Sequence, residues 1–388
     1  ALRIPLNGIT LSNAVIYHAD LRDHRFKNVT FKNCQFIHTA LPIKVHGELA
    51  IALSPKGTTL AVGDGLGRVF CWRLENDVFQ LKHFTRLQPE NPNLPSGITH
   101  LAFGDERTLS FATKQEVYSW WLSSENGFSN AKPMLAIDEL PAPVSCLAAQ
   151  GEDRIAAGLE TGDIVLWNEF RGSVVITAHQ TPIRTLVLSA DGSRLLSIGY
   201  GDRLIEWDIT SAPVSQERRS DGELFVAGSF HEACSVIADA NNDDGSLGIR
   251  LADGARRTIP FRGNGDLMRL SRNGQYVAVV VDENVRVLVV SNLSSYDTIP
   301  IDYMPTNLIV SNDGKWLLTS GSLNSMTHLV LWNVKTGQPW WELQSSEDAV
   351  DIVTPPTDAG LSFQQCEVND SAAEQAYFID YYGPEFAS

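Results

Sequence analysis

The strongest constraint on this 388-residue chain is a unit of about 40 to 48 residues that recurs from Leu41 onward. Each unit contains an apolar strand, a tight polar turn, a second apolar strand, a turn rich in Gly or Asp, and a third strand. Turns such as Asp191-Gly192 supply the positive-φ positions that short hairpins need. The pattern therefore predicts an all-β chain built from consecutive antiparallel hairpins. In five units the third strand ends at a tryptophan: Trp72, Trp121, Trp167, Trp207 and Trp332.

The segment from Leu186 to Asp208 closely resembles a WD repeat. His179, Ser197 and Trp207 match three members of the hydrogen-bond set that stabilises each blade in that family, and the fourth position, an Asp, falls on Gly201 beside Asp202. The resemblance covers about 41 to 345, and the units Glu223 to Leu251 and Asp266 to Val290 keep the strand pattern without the Trp. It implies a WD-repeat-type β-propeller.

The number of blades depends on the tail. Seven units end by Trp332, but three more strand-like segments follow: Ala349 to Val353, Leu361 to Gln364 and Ala376 to Ile379. Pro42 to Val45 would supply a fourth strand, because pairing of the two chain ends closes a ring without exposed edges. We therefore prefer eight blades, with seven blades plus a packed tail as the alternative.

A second period, of five residues, occupies the N-terminus. Small side chains recur two residues before the apolar ones, which resembles the pentapeptide-repeat family and implies a short quadrilateral β-helix. We expect residues 1–40 to form this segment and residues 41–388 the propeller. Because two coils are too few to be stable alone, we expect the chain to be a piece of a longer protein whose upstream part continues this β-helix, or the propeller to cap it. The apolar series is Leu6, Leu11, Ile16, Leu21, Phe26, Phe31, Phe36 and Leu41.

Charge excludes several classes of partner. The formal net charge is −16, from 46 acidic and 30 basic residues, which repels nucleic-acid phosphates and anionic lipid surfaces. The apolar runs are also far shorter than the ~20 residues that span a bilayer. Five widely scattered cysteines indicate free thiols in a reducing compartment, so we expect a cytoplasmic protein.

No motif for catalysis, metal or cofactor binding is present in the sequence. There is no Gly-rich loop ending in Gly-Lys-Ser/Thr, no Cys-x-x-Cys, and no pair of histidines at ligand spacing. The segment Asp239 to Gly245 resembles the start of a calcium loop, but a plain turn explains the same residues. We predict no catalytic residue, no metal and no cofactor.

Acidic residues recur in the turns between second and third strands. In a propeller these turns lie on one rim, where their fields would add, so we predict a rim that binds a protein or peptide partner, possibly basic. Tyr200, Arg203 and Tyr303 would add shape contacts. The alternative is that turns of an acidic protein simply contain many acidic residues. The acidic positions are Asp64, Glu160, Asp202, Asp243, Asp244, Asp282, Glu283 and Asp370.

The order of segments suggests a function by resemblance alone. A pentapeptide stretch running into a WD-repeat ring is similar to the C-terminal halves of bacterial STAND-type (NACHT or NB-ARC) ATPases. That resemblance implies a non-catalytic sensing and autoinhibitory domain, used in signalling or antiviral defence, that contacts upstream domains of the same chain. The alternatives are a constitutive scaffold for protein complexes and an enzyme with its site in the channel.

Overall fold

The structure is a computed structural model, and it describes a defined part of the chain. The described residues are 10–17, 29–32, 35–37, 45, 47–75, 78–87, 97–122, 134–137, 140–169, 172–200, 204–210, 215–220, 225–231, 234–241, 246–250, 256–260, 267–281, 284–323, 326–346, 361–364 and 367–368. All regular elements among these residues are strands, and none of them forms a helix long and apolar enough to cross a membrane.

Seven four-stranded antiparallel sheets make up most of the described chain, each formed from four consecutive strands. Sheet 1 contains β5 Ala50–Leu53, β6 Thr59–Gly63, β7 Arg68–Glu75 and β8 Val78–Arg86. Sheet 2 contains β9 His100–Phe103, β10 Thr108–Ala112, β11 Val117–Trp121 and β12 Met134–Ile137. Sheet 3 contains β13 Val144–Gln150, β14 Arg154–Leu159, β15 Asp163–Asn168 and β16 Gly172–Thr177.

The remaining four sheets repeat the same order. Sheet 4 contains β17 Ile183–Leu188, β18 Arg194–Gly199, β19 Leu204–Asp208 and β20 Ser215–Ser220. Sheet 5 contains β21 Phe225–His231, β22 Cys234–Asn241, β23 Ser246–Arg250 and β24 Arg256–Pro260. Sheet 6 contains β25 Met268–Leu270, β26 Tyr276–Val281, β27 Asn284–Val289 and β28 Asn292–Pro300. Sheet 7 contains β29 Met304–Val310, β30 Trp316–Leu323, β31 Met326–Asn333 and β32 Gln338–Ser346.

The first strand of each sheet contacts the first strand of the next, and β29 contacts β5, so the sheets close into a ring around a channel. This is the predicted all-β propeller. The innermost strands all run in the same direction, which gives the ring two different faces. The turn face carries the turns between first and second strands. The connection face carries the connections between sheets and the turns between second and third strands.

A repeated turn explains the first hairpin of several sheets. A serine hydroxyl accepts a hydrogen bond from the backbone N–H five residues later, and a glycine three residues after the serine adopts positive φ. Because its own hydrogen bonds close each such turn, the two strands that it connects begin in register. The pairs are Ser54 with Thr59 at 3.0 Å, Ser189 with Arg194 at 2.9 Å, Ser271 with Tyr276 at 3.0 Å and Ser311 with Trp316 at 3.0 Å.

Apolar layers between neighbouring sheets form the core. One cluster joins sheets 1 and 2 through Cys71, Phe111 and Trp120, and equivalent clusters join each following pair up to sheets 6 and 7. The seam between sheets 7 and 1 is aromatic, with the rings of Trp72 and Trp341 centred 5.1 Å apart. The second strands, such as β6 and β10, are buried along their whole length because a sheet covers them on each side.

The preference for eight blades is wrong, since the described residues form seven four-stranded sheets. The predicted strand Leu361–Gln364, now β33, pairs with an N-terminal strand instead of a blade. Val45, in the segment expected to close the ring, is not in a strand. Ala349 to Val353 and Ala376 to Ile379 lie outside the described residues.

Two three-stranded parallel sheets form from both ends of the chain. The N-terminal strands are β1 Thr10–Ser12, β2 Val15–Tyr17, β3 Val29–Lys32 and β4 Gln35–Ile37, and the second C-terminal strand is β34 Glu367–Val368. β3 lies between β1 and β33, and β4 lies between β2 and β34. Thr10 pairs with Thr30 and Val15 with Gln35, so one coil covers four five-residue periods. The spacing suits the predicted β-helix, although membership of the pentapeptide family stays a prediction.

Candidate functional site

The channel holds a cavity of about 220 Å³ near the turn face. All seven innermost strands contribute to its wall, mostly with apolar side chains such as Leu101, Leu147 and Leu186. Its floor contains one charged side chain, that of Arg272, which follows the innermost strand of sheet 6.

Arg272 crosses the channel to reach sheets 2 and 3. Its Nη1 donates to the carbonyl oxygen of Phe103 at 2.6 Å, and its Nη2 donates to those of Gly104 at 2.9 Å and Ala149 at 2.7 Å. A further hydrogen bond runs from Nη2 to the side-chain oxygen of Gln150. Burial lowers the pKa of Arg272 to about 10, still well above neutral pH, so the guanidinium is charged and ties opposite sides of the ring together.

Hydrogen bonds between neighbouring sheets reinforce the turn face. Glu106 of sheet 2 accepts from Ser54 Oγ at 2.8 Å, Lys56 N at 2.6 Å and Thr58 Oγ1 at 2.8 Å, all from sheet 1. Asn273 Nδ2 of sheet 6 donates to the carbonyl of Asn312 in sheet 7 at 2.9 Å. This face is therefore cross-linked between neighbouring sheets and bridged across the channel by Arg272.

The connection face is built differently. In four innermost strands the pairing register shifts near the first residue, between Val144 and Cys146, Ile183 and Thr185, Phe225 and Ala227, and Pro305 and Asn307. Such bulges leave one residue outside the regular ladder and change its direction. The sequence gives no motif for them, yet they recur at one level of the ring, around the connection-face end of the channel. We call this end the mouth.

Arg184 occupies the bulge of sheet 4. Its guanidinium carbon lies 5.6 Å from the ring centre of Tyr200, which is 56% exposed in the following turn. Arg269, on the innermost strand of sheet 6, donates from Nη1 to the carbonyl of Met268 at 2.8 Å. Burial lowers the pKa of Arg269, and the positive charge of Arg184 lowers it further.

Sheet 7 adds apolar surface to the mouth. Met304, the first residue of its innermost strand, is 66% exposed, and Thr306 in the bulge is also exposed. Asp302, just before this strand, is exposed as well. The mouth thus combines two arginines with an aromatic ring and a thioether.

The predicted rim residues differ in their exposure to solvent. Glu160 and Tyr200 are exposed on the connection face, and their role as partner contacts stays a prediction. Asp64 is fully buried and forms an ion pair with Arg68 at 2.5 Å, so it cannot serve as a partner contact. Tyr303 is also buried and cannot supply a surface contact. Asp202, Arg203, Asp243, Asp244, Asp282, Glu283 and Asp370 lie outside the described residues.

Two hydrogen-bond chains lie inside the sheets, and one of them contains the buried Tyr303. In sheet 4, Ser197 Oγ lies 2.8 Å from His179 Nε2 and accepts from Trp207 Nε1 at 2.9 Å. In sheet 7, Thr319 Oγ1 accepts from Trp332 Nε1 at 2.9 Å and hydrogen-bonds the hydroxyl of Tyr303.

Sheet 2 has no acceptor for its tryptophan N–H equivalent to Ser197 or Thr319. Trp120 Nε1 is buried without a hydrogen-bond partner, and its ring stands edge-on to Phe111 at 6.5 Å. The next residue, Trp121, is 39% exposed. Among the described residues no group of three or more His, Cys, Asp or Glu side chains could hold a metal ion. The predicted calcium-like segment extends beyond them, because residues 242–245 are not described.

Comparison with known proteins places this geometry in a known fold. No family model matches the chain. A chain in the crystal structure of a mitotic checkpoint complex superposes with a TM-score of 0.53 at 16% sequence identity, covering 75% of this chain and 89% of that one. The chain is a WD-repeat-like β-propeller.

A curated relative supports the same fold class. The SIR4-interacting protein SIF2 of Saccharomyces cerevisiae is 31% identical over 108 residues, which is 27% of this chain and 19% of the relative. The match thus spans about a fifth of that protein. WD-repeat propellers typically act as protein-interaction scaffolds, and both similar proteins carry interaction or complex in their names.

Proposed function

We propose that this propeller is a non-catalytic protein-binding domain whose partner docks on the connection face, over the mouth. The observation that carries the proposal is the contrast between the two ends of the channel. The turn-face end is spanned by Arg272 and cross-linked by hydrogen bonds between sheets. The mouth instead presents exposed Tyr200 and Met304 beside two arginines.

This contrast matters because docking surfaces need side chains that can exchange water for a partner. Exposed aromatic and thioether groups gain most from such an exchange, and arginine adapts to both polar and aromatic contacts. At the turn-face end of the channel the polar groups named above already hydrogen-bond each other, and the exposed tryptophans of that face, Trp121 and Trp340, lie on third and fourth strands rather than at the channel.

The chain also enters and leaves the ring on the connection face. The innermost strand β5 begins there and the outer strand β32 ends there, and beyond them lie the end strands that pair as β3 with β33. The segments outside the ring therefore join it on this face. This arrangement supports the finer proposal that the propeller is the sensing and autoinhibitory region of a larger bacterial STAND-type signalling or antiviral-defence ATPase. A constitutive scaffold is the alternative.

Affinity capture with matched variants tests the docking face. The bait is this chain, used in native lysate and in phage-infected lysate, and the test variant replaces Tyr200 and Met304 with Ser. The control replaces Trp121, which is exposed at the turn-face end of β11, with Ser. We expect the captured protein to be lost with the mouth variant and retained with the control. Equal capture by both variants would refute the proposal.

The same captures separate sensor from scaffold. A sensor binds a partner that is present only in the triggered lysate, because a trigger must favour one state of the parent protein. A scaffold captures the same partners in both lysates.

A further inference from the structure

The outer strand of sheet 3, β16, forms an open sheet edge. It pairs with β15 on one side, and no strand of the described chain pairs with its other side. Val174 and Val175 point to opposite faces of the sheet and are 46% and 57% exposed, so the strand stands clear of both neighbouring sheets. A Cβ placed on Gly172 would meet no described atom within 4 Å.

The outer strands of the other sheets contain features that oppose edge pairing. Charged side chains and proline on an edge discourage the addition of another strand. β8, β20, β24, β28 and β32 each contain a charged residue, and the last three also contain a proline. β12 contains neither, but it has only four residues and directly follows Lys132-Pro133. β16 is six residues long, uncharged and rich in β-branched side chains, so its composition favours pairing with a further strand.

The direction of its backbone groups follows from the neighbouring hairpin. The N–H of Glu169 donates to the carbonyl of Asp153, just beyond the position where Asn168 of β15 lies opposite Arg154 of β14. In an antiparallel ladder such a bond flanks a pair that does not exchange hydrogen bonds itself. The N–H and C=O groups of Asn168 therefore point the other way, to Gly172 of β16.

Bonded and outward-pointing residues alternate along the rest of the strand. Val174 and Ile176 bond to β15 like the first residue of β16. Ser173, Val175 and Thr177 direct their N–H and C=O groups away from the sheet. The edge therefore offers three donors and three acceptors at a spacing of two residues.

We propose that β16 pairs in antiparallel fashion with β16 of a second copy of this chain, about a two-fold axis at Val175. In this register Ser173 lies opposite Thr177 of the second copy, and Val174 lies opposite its Ile176. All the outward-pointing backbone groups of both strands are then used, and β-branched side chains face each other, as do a serine and a threonine. The two copies of sheet 3 become one eight-stranded antiparallel sheet.

A second copy fits this edge because the strand is its own complement in that register, as a two-fold interface requires. The proposal does not rest on docking at the mouth, since β16 lies on the outer edge of the ring. A six-residue strand pair is smaller than the standard interface of about 1,600 Å², so we expect a dissociation constant on the order of 10 to 100 μM. Each chain carries a net charge of −16, so added salt should strengthen the dimer by screening the repulsion.

Sedimentation equilibrium of the whole chain tests the proposal. The mass should rise with concentration from 42.7 kDa toward twice that value. Val175→Lys places two positive charges across the axis and should raise the dissociation constant at least about tenfold. Val289→Lys makes the same change at a valine of sheet 6 that is 36% exposed, and this control should associate like the unaltered protein.

A backbone variant separates strand pairing from contact between side chains. Val175→Pro removes only an N–H that points away from β15, so the sheet keeps its hydrogen bonds while the dimer should be lost. A mass that stays at 42.7 kDa up to about 0.5 mM, or a dimer that Val175→Pro or Val175→Lys leaves unchanged, would overturn the proposal.

Cross-linking under a mild oxidant tests the register. Residues that exchange hydrogen bonds across an antiparallel pair have Cα atoms about 5.5 Å apart, which a disulfide can span. Val175→Cys should therefore form a covalent dimer, and Val174→Cys should form it more slowly because its opposite residue is Ile176. The unaltered protein, with its five cysteines, is the control. Equal rates for the two variants would contradict an axis at Val175.

Discussion

Removing the guanidinium of Arg272 tests how the ring is held. This side chain donates to three backbone carbonyls and one amide oxygen on sheets 2 and 3. Hydrogen bonds to a charged group contribute about 1.5 to 3 kcal/mol each. In Arg272→Met the carbonyls regain some water and the cost of burying the charge disappears, so we expect a net loss of about 2 to 4 kcal/mol.

The loss is measurable by thermal unfolding. For a chain of 388 residues, entropy scaling converts that free energy into a lower Tm by about 2 to 5 °C. Arg272→Lys keeps the charge, but its single ammonium group cannot bond to both sheets as the forked guanidinium does. The Tm of this variant should therefore lie between those of the unaltered protein and Arg272→Met. Arg107→Met, exposed on the same face, is the control and should leave the Tm unchanged.

Hydrogen exchange locates the effect within the ring. We expect faster exchange at the ends of β9 and β13, whose carbonyls Arg272 holds, with unchanged protection in β30 and β31. A variant with the Tm and exchange pattern of the unaltered protein would refute the view that Arg272 links the two sides of the channel.

Three further predictions follow from the hydrogen-bond chains, the paired ends and a half-buried histidine. Ser197→Ala removes the acceptor shared by His179 and Trp207 and should destabilise the protein by about 1 to 3 kcal/mol in urea unfolding, whereas Trp120→Phe, which removes an unpartnered N–H, should cost less. Deleting residues 361–388 should raise hydrogen exchange in β3 and β4 while the ring strands stay protected, because β33 and β34 pair with them. Burial lowers the pKa of His100 below 6.5. Its contribution to the free energy of unfolding is therefore present above that pH and is lost as the pH falls through the folded-state pKa. The slope of stability between pH 7 and pH 5 should be smaller in His100→Gln, and an identical slope would contradict this.

Much of the ring could be predicted from local sequence. Hairpin turns and strand alternation act over a few residues, so the units with a terminal Trp correspond to third strands such as β15 and β19. Even the units without Trp form the expected sheets 5 and 6. Alternation along a strand also explains why Trp120 is buried while Trp121 is 39% exposed, because neighbouring strand residues face opposite sides.

The blade count could not be predicted in the same way. The segment of β33 alternates like a blade strand, but its partner is β3, more than 300 residues earlier in the sequence. The five-residue spacing between Phe363 and Val368 continues the N-terminal period and was a usable indication. Only the pairing of strands that are distant in the sequence decides whether this segment joins a blade or pairs with the N-terminal strands.

The site was predictable only in outline. An acidic residue in a turn does not show from the sequence whether its side chain is buried. Asp64 is buried and pairs with Arg68, four residues later. Likewise Tyr303 occupies the hydrogen-bonding place that His179 has in sheet 4. Arg272 has its role only because ring closure brings residues from different sheets together across the channel.

Site-specific photocrosslinking tests the central claim, docking at the mouth, most directly. A benzophenone amino acid placed at Tyr200 samples the connection face, and the same group at Trp340, 44% exposed near the start of β32, samples the turn face. The account predicts a covalent adduct with the captured partner from position 200 and none from position 340. An adduct from position 340 alone would contradict it.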